Sequence, residues 1–374
     1  KLPSVNLGSY RSYGGNMSKK ALIAMSGGVD SSVAALLMKE KGYDCVGCTM
    51  RLYGNEDAGI PKGHTCCSLD DVEDARAVAY RLDMPYYVFN FSDDFNEKII
   101  DKFIRSYEAG ITPNPCIDCN RYMKFDKLFD RAKVLDCDYV VTGHYARIEE
   151  APDGRFLLKK ALDQSKDQSY VLYSMTQEQL KATQFPLGGY IKSEVRDIAD
   201  ANGFVNASKP DSQDICFVPD GDYAKVIELR SGHSYPEGNY IDSTGHILGT
   251  HKGLIHYTIG QRKGLGIAFG KPTFVVDLKP DTNEVVLGGN DELFGTELDV
   301  SDFNWISGNA PSDSFRCKAK IRYRQSEQPA LALVLPNGDV HISFDEPQRA
   351  ITPGQAAVLY DGDTVIGGGV IRRS

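Results

Sequence analysis

Two groups of residues in this chain have the types and spacing to do chemistry. The first is Ser26-Gly27-Gly28-Val29-Asp30-Ser31-Ser32, which follows the apolar run Ala21 to Met25 and opens a stretch of helical period. A short strand, a tight loop and a helix N-terminus turn backbone N–H groups and a positive dipole end toward an anion, and phosphate is the natural occupant. Two glycines let the backbone approach the ligand, and the hydroxyls of Ser26, Ser31 and Ser32 add short donors. Asp30 is the odd member. Its carboxylate repels phosphate unless a cation lies between them, so a Mg²⁺ ion bridging Asp30 and phosphate oxygens is expected. No lysine follows the glycines, which excludes the lysine-bearing loop of kinases and GTPases. The segment reads as the phosphate loop of an ATP-consuming enzyme.

The second group is thiols. Thr112-Pro113-Asn114-Pro115-Cys116-Ile117-Asp118-Cys119-Asn120 holds two cysteines at C-x₂-C spacing ahead of a helix expected from near Lys124, with Arg121 adjacent. A nearby helix N-terminus and neighbouring cations both favour the reactive thiolate. A third thiol, Cys216, lies in Asp211-Ser212-Gln213-Asp214-Ile215-Cys216-Phe217. A structural zinc site needs four ligands, and no second C-x₂-C or H-x₃₋₅-H pair supplies the rest. Redox or sulfur chemistry is the favoured reading for Cys116, Cys119 and Cys216. Cys45, Cys48, Cys137 and Cys317 fall in apolar or alternating runs and read as inert packing thiols. Cys66 and Cys67, with His64, could bind a metal, but their Gly/Pro-rich surroundings favour a flexible lid.

The elements that must position these residues follow from periodicity. Apolar runs at Ala21 to Met25, Cys45 to Met50, Tyr86 to Phe91 and Tyr139 to Thr142 alternate with amphipathic stretches at Ser31 to Lys41, Leu69 to Leu82, Phe95 to Tyr107 and Lys124 to Leu135. That alternation predicts an α/β fold, a doubly wound parallel sheet whose ligands sit beyond the carboxyl ends of the strands. We divide the chain into a leader (1–16) ahead of a natural start at Met17, a catalytic domain (17–208), a small central α+β domain (209–292) and a C-terminal β-barrel (293–374). With 374 residues, 41% hydrophobic and 25% charged, the chain is long enough for several cores and has no apolar run of membrane-spanning length. Nine cysteines without a secretion signal point to the reducing cytoplasm. A formal charge of −9 argues against indiscriminate nucleic-acid coating, so an RNA site must be a local basic patch. One candidate is Arg316, Lys318, Lys320, Arg322 and Arg324, which on a continuous strand would line one face over roughly 26 Å.

The loop resembles the SGGxDS loop of ATP pyrophosphatases, enzymes that cut ATP between its α and β phosphates. Loop and thiols together make the chain similar to the bacterial tRNA-specific 2-thiouridylases. The matching segments are Ala24 to Ser32, Thr112 to Phe125, Thr142 to Arg147, Lys166 to Tyr170, Asp211 to Phe217, Thr258 to Gly266, Arg322 to Arg324 and Thr352 to Gln355, spread over nearly the whole length. The resemblance implies that ATP adenylates the C2 oxygen of a wobble uridine. A persulfide on Cys216 then supplies sulfur, and Cys119 is the partner nucleophile that forms a disulfide with Cys216. It assigns ATP to Ala24, Met25, Ser26, Gly27, Gly28, Val29, Asp30 and Ser31, with Met50 and Gly143 at adenine and ribose. Asn114, Pro115 and Cys116 would hold the target base, and His144, Lys166, Asp167, Gln168, Arg322, Tyr323 and Gln355 would contact tRNA at its anticodon stem-loop.

Cys116 departs from the pattern, because some members carry an Asp there that is a candidate general acid/base. Three thiols at 116, 119 and 216 could instead hold a 4Fe–4S cluster with one open iron, so both sulfur routes stay open, the persulfide route being preferred. A persulfide-carrying partner, such as a cysteine desulfurase or a sulfur-relay protein, would donate the sulfur, and no membrane partner is expected. Rival readings are another ATP pyrophosphatase, such as a 4-thiouridine or 2-thiocytidine synthetase or argininosuccinate synthase, and a non-enzymatic RNA-binding protein.

Overall fold

β1 (Lys20–Ala24) buries Ala21, Leu22 and Ile23 completely, the mark of a strand covered on both faces. It pairs in parallel with β2 (Asp44–Arg51), and β2 with β3 (Tyr86–Asn90). On the other flank of β1 lies β4 (Tyr139–Val141). A hairpin follows, β5 (Ala146–Glu150) and β6 (Phe156–Lys160), and then β7 (Thr183–Gln184) joins beyond β4. The five-stranded order β3-β2-β1-β4-β7 reverses direction between β1 and β4, and there the α/β sheet opens a ligand crevice. The computed structural model describes residues 18–53, 69–210, 215–218, 220–267 and 270–373. The leader, His64, Cys66, Cys67 and the stretch 211–214 lie outside the described residues.

Helices cover both faces, as the alternating pattern requires. On one side α1 (Val29–Glu40), α2 (Leu69–Arg81) and the helix Lys192–Ala201 close a core around Ala21, Ile23 and Met25. On the other, Leu22, Val46 and Val140 meet Phe125, Leu128 and Phe129, and the same core continues into Val358, Tyr360 and Val365 of the C-terminal barrel. The thiol-bearing helix starts at Pro115, not near Lys124 as the periodicity suggests. Asn114 caps it by accepting from the Cys116 N–H at 3.2 Å, and proline suits the first helical position. From Cys119 to Lys127 the turns are π-helical, a geometry frequent at functional sites.

The remaining strands form two sheets. β8 (Gly238–Ile241), β9 (Ile247–His251), β10 (Phe274–Lys279) and β11 (Glu284–Gly288) build the central one in the order β10-β11-β8-β9, and the helix Tyr223–Ser231 precedes it. β12 (Phe294–Trp305), β13 (Ser314–Lys320), β14 (Gln328–Val334), β15 (Val340–Arg349), β16 (Ala356–Asp361) and β17 (Thr364–Ile371) build the other. β12 pairs with both β15 and β17, which closes these strands into a barrel. The hairpin β5–β6 extends that barrel sheet, with β6 against β17 and the Lys160 N–H donating to Asp363 O at 2.8 Å. No sequence signal announced this crossover, because a hairpin's register says nothing about which third strand it meets. Among the described residues no helix is long and apolar enough to cross a membrane.

Ile342 is fully buried in the barrel core beside Val340 and Leu298. Ile342→Ala is expected to cost about 2–5 kcal/mol in denaturant unfolding, as large-to-small core substitutions do.

Candidate functional site

The loop after β1 is fixed by glycines that nothing else could replace. Gly27 has φ +74°, and a Cβ there would stand 2.3 Å from the Asp71 carbonyl oxygen. Gly143, just after β4, would place a Cβ 2.8 Å from the Ser31 nitrogen and 2.9 Å from the Asp30 carbonyl carbon. The two strand ends flanking the crevice therefore touch backbone to backbone. Within the loop, Ser31 Oγ accepts from the Ser26 N–H at 3.2 Å and donates to Gly28 O at 3.0 Å, and Ser32 Oγ donates to the same carbonyl at 3.1 Å. At the end of β2, half-buried Met50 packs toward the same sheet edge.

Three residues that sequence reasoning missed complete the loop. Asn206 Nδ2 donates to Gly27 O at 2.9 Å and to Ser32 Oγ at 3.0 Å. Lys209 Nζ reaches Gly27 O at 3.3 Å while pairing with Asp71 and Asp74. Lys192 Nζ binds both Asp30 carboxylate oxygens, at 2.7 and 2.8 Å, and the Tyr145 hydroxyl donates to Asp30 at 2.8 Å. The cation that Asp30 demanded is thus supplied by the chain itself. A Mg²⁺ held mainly by phosphate oxygens needs only one protein carboxylate, which Asp30 provides if Lys192 yields it. The signal for Lys192 was present only as a lysine at a helix start, more than 160 residues from its partner.

Cys119 opens the π-helical segment, and Cys116 precedes it by one turn on the same helix. Cys119 and Cys216 both pack against one aromatic wall that includes Phe95, Phe103, Met123 and Phe217, and Tyr53 donates to the Cys216 carbonyl at 2.6 Å. Two thiols 97 residues apart in sequence thus border the same hydrophobic cluster. Cys116 is exposed and neighbours Tyr323, whose hydroxyl burial pushes up, with Asp167 and Cys116 adding to the shift. Among the described residues no three His, Cys, Asp or Glu side chains gather where one metal ion could sit. The packing thiols behave as expected of buried groups, burial pushing Cys45 up to about 11 and Cys317 up to about 12.

The expected RNA contacts divide into exposed and internal residues. Gln355 donates to Thr112 O at 2.9 Å, so it tethers the thiol segment to the barrel. Gln168 accepts from the Tyr145 N–H at 2.9 Å, Asp167 accepts from Ala161 N–H and Ser169, and Lys166 is half-buried in the same turn. His144 is only 6% exposed, contacts Thr142 at 2.6 Å and Lys124 at 3.3 Å through its two ring nitrogens, and lies between Phe125 and Phe185. Its ring is packed against the core aromatics. Burial, then the Lys124 charge, hold it well below the ordinary histidine value of 6.5.

The five-charge stripe is also corrected. β13 ends at Lys320, Arg316 is taken by Asp345, and Arg322 donates to Ile259 O, Ala350 O and Thr352 Oγ1. Lys318 and Arg324 stay exposed, and Lys320 lies 5.6 and 5.7 Å from the rings of Tyr170 and Tyr323. Strand alternation put all five on one face only on the assumption that the strand continued, and the turn at 321–325 breaks it.

Two outcomes follow from this geometry. Gly143→Ala should weaken Mg·ATP binding at least ~10-fold by calorimetry, since the new methyl displaces the backbone that cradles the phosphates. His144 stays neutral in the fold while its unfolded counterpart takes up a proton as pH falls below 6.5, so its contribution to stability is present above that pH and lost below it. His144→Gln should therefore flatten the decline in melting temperature between pH 7.5 and 5.5, checked by calorimetric scans against the parent chain.

Known proteins match this chain over most of its length. Three family models match: a tRNA methyl transferase HUP domain over residues 19–220, a tRNA methyl transferase PRC-barrel domain over 226–289 and an aminomethyltransferase β-barrel domain over 295–371. A protein of Clostridioides difficile (strain 630) named tRNA-specific 2-thiouridylase MnmA is 52% identical over 96% of this chain and 99% of its own. One of Thermoanaerobacter sp. (strain X514), named tRNA-specific 2-thiouridylase MnmA 1, is 53% identical over 95% and 98%. The chain belongs to the tRNA-specific 2-thiouridylase family.

Proposed function

We propose that this protein is a tRNA-uridine 2-sulfurtransferase that uses ATP and a cysteine persulfide to convert a wobble uridine to 2-thiouridine. The observation that carries the reading is the pairing, in one molecule, of a phosphate loop at the sheet's switch point with Cys119 and Cys216 on one wall. Relatives named as 2-thiouridylases support it.

A uracil C2 oxygen is a poor leaving group, so it first attacks the α-phosphorus of ATP and pyrophosphate departs. The loop from Ala24 to Ser31 holds the triphosphate through backbone donors, and Met50 and Gly143 border the nucleoside end. Mg²⁺, held at Asp30, supplies charge neutralisation to the phosphates when bound. The terminal sulfur of a Cys216 persulfide then attacks C2 and expels AMP, leaving C2–S–S–Cys216. Cys119 thiolate attacks the Cys216 sulfur, which releases the thiocarbonyl sulfur on the base and forms a Cys119–Cys216 disulfide. A dithiol reductant resets the pair, and a persulfide-carrying donor protein reloads Cys216. Cys116, Asn114, Pro115 and Tyr323 border the base, which must leave the anticodon stack to enter. Lys318, Lys320 and Arg324 remain to meet phosphates.

Two of the matched domains are described as tRNA methyl transferase, yet methyl transfer from a methyl donor does not cleave ATP to AMP and pyrophosphate. An assay with anticodon stem-loop RNA, ATP, Mg²⁺ and a persulfide donor, read by nucleoside mass spectrometry, separates the two. The parent chain should yield 2-thiouridine with AMP and pyrophosphate. Cys119→Ser and Cys216→Ser should keep pyrophosphate release while losing thiolation at least ~100-fold. A methylated nucleoside, or full thiolation by the serine variants, would overturn the reading.

A further inference from the structure

Asp302 is a non-glycine residue with a left-handed φ of 49°, a conformation that side chains other than Asn and Asp rarely tolerate. It stands where the pairing of β12 with β17 slips, between Ser301 and Asn304, so the barrel strand bulges at this point. The bulge turns the Asp302 carboxylate outward to meet Arg121 with both oxygens, Oδ1 at 3.2 Å from Nη2 and Oδ2 close against Nη1. Arg121 lies two residues beyond Cys119, inside the π-helical turn. On the other side of Cys119, Asp118 is 8% exposed and accepts from Lys102 at 2.7 Å. Lys102, Asp118, Arg121 and Asp302 therefore alternate in sign from the 101–108 helix, across the thiol turn, to the barrel.

The same barrel holds the upstream end of the segment. The Thr112 N–H donates to Pro353 O at 3.0 Å, and Gln355 takes Thr112 O at 2.9 Å. At Gly354 a Cβ would meet Thr112 O at 2.9 Å, so the chains run in contact. The stretch carrying Cys116 and Cys119 is gripped by the barrel at both ends, while Cys119 itself faces the aromatic wall it shares with Cys216.

We propose that Asp302 is a positioning residue for Cys119: through the forked pair with Arg121, the bulged barrel strand fixes the rotation of the π-helical turn so that Cys119 meets Cys216. A bulge that re-aims one side chain, kept despite a strained backbone, is the expected form of such a device. A forked guanidinium–carboxylate pair fixes orientation where a single contact would not. The inference rests on the reading that Cys119 and Cys216 exchange a disulfide during turnover.

The test uses the full chain. Asp302→Asn tolerates the left-handed backbone and removes the charge, and Arg121→Lys keeps the charge but loses the fork. Diamide, which takes two electrons and two protons from a pair of thiols, is applied to the protein alone, and Cys119–Cys216 disulfide is followed by peptide mass spectrometry. Both variants should form this disulfide at least ~5-fold more slowly than the parent, with alkylation of each thiol by iodoacetamide changed less than 2-fold. In single-turnover reactions both should lose thiolation in proportion, with KM for ATP and the rate of AMP release unchanged. Disulfide formation at the parent rate in both variants overturns the positioning role, and so does a slowing matched by equal loss of alkylation and AMP release, which marks general destabilisation. If the parent chain forms the disulfide yet makes no thiouridine, the functional reading fails while the disulfide rates still decide the role of Asp302.

Discussion

The close approach of Gly143 to the backbone of Asp30 and Ser31 is the constraint on which the remaining geometry hangs. It brings the loop after β1 against the loop after β4, and so creates one crevice where the sheet reverses direction. Side chains then secure it from a distance: Asn206 and Lys209 hold the Gly27 carbonyl, and Lys192 holds Asp30. A carboxylate inside a phosphate loop costs electrostatic energy, and a fixed lysine beside it offsets that cost before any ligand arrives. The loop is thereby preorganised, and an incoming nucleotide meets donors already in place.

The barrel is more than an appendage to that site. It shares a core with the parallel sheet through Val358, Tyr360 and Val365, receives the β5–β6 hairpin as extra strands, and holds the thiol segment through Gln355 and Asp302. A surface that would receive RNA is thus mechanically continuous with the turn that carries Cys119. On the proposed reading, activation at the crevice and sulfur delivery at the thiol wall share a single framework.

Much of this was legible in the residues. Hydrophobic period located four strands of the parallel sheet within a residue or two; β1, β2 and β4 are largely buried and read as continuous apolar runs, while the edge strand β3 stood out by its Tyr, Val and Phe residues. The glycine-serine loop and the C-x₂-C thiols stood out as candidates because few other residue types serve those chemistries. What stayed hidden was tertiary. Lys192 and Asp302 act on residues more than 160 positions away, and nothing local marks them. Equally hidden was how far Arg322 and His144 engage the fold: Arg322 donates to backbone carbonyls, and His144 lies between two aromatic rings. The early helix start at Pro115 was readable from Asn114 capping, but the proline pair argued for a loop just as strongly.

The central claim is that the loop activates the base by joining its own oxygen to AMP. Stem-loop RNA carrying ¹⁸O at C2 of the wobble uridine tests it directly by mass spectrometry of the released nucleotide. The account predicts that AMP gains the ¹⁸O atom as 2-thiouridine forms. Unlabelled AMP, or label recovered in inorganic phosphate beside ADP, would contradict it.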